Sequence, residues 1–71
     1  MYTTSATIIA LLKKNTMREI MKALGISLQN FTKMKKGEIA MGEKTYLQLI
    51  AKWPEWTGKV DYADKNMAFY Q

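Results

Sequence analysis

The sequence predicts a mainly α domain: four short helices followed by a short C-terminal β-hairpin. Three observations predict it. Four stretches repeat apolar residues at spacings of three and four, the helical period, and they are broken at Asn15, Gly25 and Gly37–Gly42. Hydroxyl residues able to cap free helix amides stand before the first three. Beyond Pro54 the period changes to two, with Val60 and Tyr62 alternating with Lys59 and Asp61, then Met67 and Phe69 with Ala68 and Tyr70. A chain of 71 residues makes one small unit, whose folding hides only about 60% of the surface its unfolded form exposes. We divide it into 1–54, the helical domain, and 55–71, a tail.

The first helix is predicted over Ala6–Lys14. Ile8, Leu11 and Leu12 share one face with Ile9 beside it, and Ser5 or Thr4 is the expected cap. Thr16-Met17-Arg18-Glu19 is a capping box, in which each side chain satisfies the other's backbone amide, so a second helix should start at Met17. Its apolar positions are Met17, Ile20, Met21 and Leu24, and Gly25 should end it by turning left-handed. Ser27 caps a third helix, Leu28–Lys36, with Phe31 and Met34 inward, Leu28 a further candidate for that face, and Gly37 closing it. Ile39 and Met41 should tuck inward from the loop. The fourth helix, Glu43–Trp53, carries Tyr46, Leu47, Leu49, Ile50 and Trp53, and Pro54 stops it. In the tail, Ala63-Asp64-Lys65-Asn66 has turn composition, which places strands near 58–63 and 67–70. A short final helix from Tyr62 is the competing pattern.

Composition narrows function. There are no cysteines and no histidines, which removes disulfides, Cys/His zinc sites, thiol nucleophiles and imidazole acid–base chemistry. The carboxylates at 38, 43, 55, 61 and 64 have no paired spacing. An enzyme is therefore not expected, nor a cofactor. The net charge is +5, unevenly spread: residues 1–36 hold seven basic side chains and one acid, a net +6, and residues 37–71 a net −1. Lysines that merely aid solubility would not explain why acids avoid the first half. The partner expected is acidic. The apolar run Ala6–Leu12 is far too short for a membrane span, and Lys13 and Lys14 follow it where a secretory signal has its charge in front. The expectation is a cytoplasmic protein with no membrane partner.

Met17–Gly37 has the spacing of a helix-turn-helix: eight residues of helix, a glycine, an apolar residue, a capping serine and a second short helix. The first helix must offer its last apolar turn (Ile20, Met21, Leu24) to Phe31 and Met34, with Ile26 plugging the corner. At Leu24-Gly25-Ile26-Ser27, Phe31-Thr32-Lys33-Met34 and Lys36-Gly37 the chain resembles the lambda-repressor-like and Cro-like phage regulators. Lys44–Lys52 is similar to that family's fourth helix, so the resemblance covers about residues 6–53. More weakly, Trp53-Pro54-Glu55-Trp56 and Gly58 resemble small phage proteins with a Trp-rich stretch and a hairpin after the domain. Two departures stand out. Met21 replaces the family's usual small residue, and Met17 its phosphate-touching glutamine, so that contact passes to Arg18 or Thr16.

The resemblance implies that the third helix enters the DNA major groove and that Ser27, Gln29, Asn30, Thr32 and Lys33 face the bases. Amides of Gln29 and Asn30 suit adenine, Lys33 suits guanine acceptors or a phosphate, and Thr32 offers a hydroxyl and a methyl. Thr16, Arg18, Lys35, Lys36 and Lys44 are implied phosphate contacts, with the amides of Gly42–Lys44 beside them. The plainer alternative is that these polar groups are the solvated face of a short helix. The function expected is a sequence-specific regulator of double-stranded DNA, a phage or prophage Cro-like repressor that works by occupying a near-palindromic operator, with no small-molecule effector. One motif makes few base contacts, so a homodimer is expected, joined through Val60, Tyr62, Met67 and Phe69 of the tail or through helix 4 with Trp53. A protein-interaction module on the same fold, an antirepressor or adaptor, is the alternative.

Overall fold

Three of the four helices begin where a hydroxyl receives a free amide. The computed structural model describes residues 1–63. In it α1 spans Thr4–Leu12, α2 Met17–Leu24, α3 Leu28–Lys36 and α4 Glu43–Lys52, followed by a 3₁₀ turn at Pro54–Trp56. For α1 the cap is Thr3, whose Oγ1 accepts from the Ala6 amide at 3.1 Å, not the expected Ser5 or Thr4. Both of those hydroxyls have tertiary partners. Thr4 Oγ1 is buried and accepts from the Met41 amide at 2.7 Å, and Ser5 Oγ donates to the Lys35 carbonyl at 2.6 Å. Three adjacent hydroxyls look alike in sequence, and packing chooses between them.

Thr16 caps α2, accepting from the Glu19 amide at 3.2 Å. The expected return contact takes another form, because the Thr16 hydroxyl, not its amide, donates to Glu19 Oε1 at 3.2 Å. Gly25 ends α2 at φ 65°, and the amides of Gly25 and Ile26 both donate to the Met21 carbonyl. Ser27 caps α3, and Gly37 closes it at φ 81°. There Gly37 N donates to the Met34 carbonyl at 3.1 Å and Glu38 N to that of Lys33 at 2.8 Å, the paired bonds of a Schellman motif. These left-handed residues reverse the chain within a few bonds, which lets four short helices share one core.

α1 packs on α3, and α2 on α4. Ile8 and Leu11, Ile20 and Leu24, Phe31 and Met34, and Tyr46 and Leu49 come from the four helices, with Met41 from the loop. Leu12, Met21, Ile26, Ile50 and Trp53 pack around them, half-buried. Several expected inward residues are exposed instead: Ile9, Met17, Leu28, Ile39 and Leu47. Helices of eight to ten residues have one or two turns facing the core, so apolar residues at their ends and flanks stay in solvent.

The tail departs most from expectation. Among the described residues, 58–63 form no regular strand. They run parallel to two other pieces of chain, with isolated bridges from Val60 to Tyr2 and from Ala63 to Gly42. Tyr2 N donates to the Lys59 carbonyl at 2.7 Å, Asp61 N to that of Tyr2 at 2.8 Å, and Ala63 N to that of Met41 at 2.8 Å. Val60 is fully buried. Tyr62 stacks on Tyr46 with centroids 4.1 Å apart, the Tyr46 hydroxyl accepts from the Gly58 amide, and Tyr2 meets Trp56 edge-on at 5.0 Å. No sheet forms among the described residues. The second expected strand, 67–70, lies outside them. Among the described residues no helix is long and apolar enough to cross a membrane.

Candidate nucleic-acid interface

α3 turns Phe31 and Met34 to the core, so Gln29, Thr32, Lys33 and Lys36, at i, i+3, i+4 and i+7, share the opposite face. Gln29, Lys33 and Lys36 are exposed and Thr32 is half-buried. Asn30 is exposed on the flank, one place before Phe31. Ser27 is exposed, but its Oγ accepts from the Asn30 amide at 3.2 Å, so its first role is the cap. The Thr32 hydroxyl donates to the Leu28 carbonyl at 2.9 Å, which occupies its proton within the helix. Of the expected base-facing residues, Gln29, Thr32 and Lys33 therefore form one strip, with Asn30 at its edge and Ser27 at its start.

The expected phosphate residues divide by element. Lys36 continues the strip. Lys35 is exposed beside the α1 side of α3, where Ser5 holds its carbonyl. Arg18 is exposed in the first turn of α2, one turn before Lys22, and both rim a groove with Met17, Met21, Ile26 and Leu28. The Thr16 hydroxyl is engaged with Glu19. Lys44 is exposed in the first turn of α4, whose N-cap, Gly42, supplies no side-chain hydrogen bond, unlike the caps of the other three helices. The first amides of α4 thus lack a capping side chain, although Glu43 puts a carboxylate in the same turn.

No family model, curated protein or solved structure matches the chain significantly.

Two residues were missed in sequence. Leu28 is 54% exposed on the first turn of α3, not in the core. Lys22 stands one turn after Arg18 on the solvent side of α2, so the two cations share one face. The pattern Met17, Ile20, Met21, Leu24 already placed Lys22 opposite the apolar stripe. No sequence signal distinguished Leu28 from an inward leucine. Of the residues expected at a dimer seam, Val60 instead packs in the core of its own chain, which leaves no side-chain surface for a second copy. Tyr62 is half-buried against Tyr46. Met67 and Phe69 lie outside the described residues.

Proposed function

We propose that the chain is a sequence-specific binder of double-stranded DNA that regulates transcription by occupying its site, as a Cro-like phage repressor does. The observation that carries this reading is the α2–α3 pair. A left-handed Gly25 joins two short helices, and the second presents amide, hydroxyl and lysine side chains on the face away from the core. Such a strip matches the donor and acceptor pattern of base edges in a major groove, and the surrounding lysines match phosphate.

Binding as a symmetric dimer follows from the small number of base contacts in one motif. With Val60 in the core, the better surface for a twin is α4. Its Leu47 is 52% exposed and Ala51, one turn later, is exposed beside it.

Selection of bound sequences from a random duplex pool at two salt concentrations tests the reading. The expected result is a short, near-palindromic consensus whose affinity falls by roughly 0.9 log units per neutralised phosphate for each tenfold rise in salt. Recovery of no consensus overturns it. The adaptor alternative has one feature in its favour, the Met17–Met21–Ile26–Leu28 groove, apolar with two cationic rims. A protein seated there would bind with little salt dependence beyond those two charges.

A further inference from the structure

Leu28 and Thr32 stand one turn apart at the start of α3, Thr32 on the face that bears Gln29 and Leu28 at its edge, towards the groove lined by Met17, Met21 and Ile26. Leu28 is more than half exposed. Thr32 has directed its hydroxyl proton to the Leu28 carbonyl, a local bond open to threonine in a helix. What Thr32 then has to offer is its methyl group and an acceptor oxygen, with no proton left to donate to a base. The strip expected to be polar throughout is therefore edged by an apolar patch, the Leu28 side chain and the Thr32 methyl, with Gln29 one turn before Thr32.

We propose that Leu28 and Thr32 together read the 5-methyl group of thymine, so that they, not the Thr32 hydroxyl, determine specificity at this part of the site. The proposal rests on the DNA-binding reading above. In the major groove thymine alone presents a methyl, and apolar side chains discriminate it by excluding water from it. Gln29 beside the patch suits adenine, so the pair would favour adjacent A·T pairs.

The test replaces each thymine of a selected duplex, one at a time, by deoxyuridine, which removes the methyl and keeps every hydrogen-bonding group. At one or two positions per half-site, binding to the full-length protein should weaken roughly fourfold, the effect of one buried methyl-sized group at about 0.8 kcal/mol. Leu28→Ala should bind the thymine duplex more weakly and lose most of this discrimination. Thr32→Ser, which retains the back-bond but removes the methyl, should lose part of it, and Thr32→Val should keep it. Gln29→Ala should still distinguish thymine from deoxyuridine. Circular dichroism should show all four variants folded, because none of these side chains belongs to the core. Selective binding that no deoxyuridine weakens, or that Leu28→Ala weakens equally for both bases, overturns the proposal and leaves the DNA-binding reading standing. Failure to select any duplex overturns both.

Discussion

Single side chains divide into those that hold the fold and those free to meet a partner, and hydrogen bonds make the division. Thr4 is the clearest holder. Its buried Oγ1 is the acceptor for the Met41 amide, which ties α1 to the loop before α4. Thr4→Val keeps the shape and orphans that amide, so unfolding should become easier by about 1–3 kcal/mol in a denaturant titration. Thr4→Ser should recover most of the loss. Gln29 and Lys36 are exposed and have no side-chain hydrogen bond among the described residues, and they should respond differently. Gln29→Ala should relax base preference at one position per half-site, at about 1–3 kcal/mol, when binding to single-base variants is compared. Lys36→Ala should weaken all duplexes alike and lower the salt slope by about one unit. A change of preference in Lys36→Ala would contradict its phosphate role. These roles were partly legible in sequence. The outward strip of α3 follows from Phe31 and Met34 alone, since they define the opposite face. The identity of the α1 cap and the outward setting of Leu28 do not, because both depend on which neighbours occupy the remaining space.

Elements owe their ends to local chemistry, and that is where the sequence was most legible. Thr16, Gly25, Ser27 and Gly37 each stand where a cap or a left-handed turn is found. Gly25 sets the relation between α2 and α3. Its φ of 65° resists any Cβ, and an added Cβ would come within 3.0 Å of Gln48 Oε1. Gly25→Ala should therefore destabilise the protein by about 1–2 kcal/mol in thermal or denaturant unfolding. Gln48 can swing away, so the backbone conformation dominates, and Gly25→Ala with Gln48→Ala should recover little. Recovery of most of the loss by the second substitution would show that the contact, not the backbone, was responsible. The expected hairpin finds no support at this same scale among the described residues. Alternation in 58–63 is genuine, but it reflects Val60 entering a core while Lys59 and Asp61 stay in solvent. A period of two reports which side is buried, not which strand lies alongside.

In the whole molecule the first residues, the α3–α4 loop and residues 58–63 form one seam. Tyr2 bonds on both sides of Val60, and Ala63 bonds the loop at Met41. The seam closes a core too small to be complete from helices alone. Deleting residues 58–71 should then cause loss of cooperative unfolding, whereas deleting 64–71 should keep it; circular dichroism melts distinguish the two. If twin chains meet through α4, Leu47→Glu should shift a dimer to monomer in sedimentation while the melt of the monomer stays unchanged, and the 64–71 deletion should leave association intact. Charge patterning, helix ends and the helix-turn-helix spacing were all present in the linear chain, because each depends on residues within a turn or two of one another. The cap of α1, the exposure of Leu28 and the destination of Val60 depended on contacts across some tens of residues. Whether an apolar side chain is covered is a property of what arrives beside it, and in a domain this small a single returning segment decides the matter.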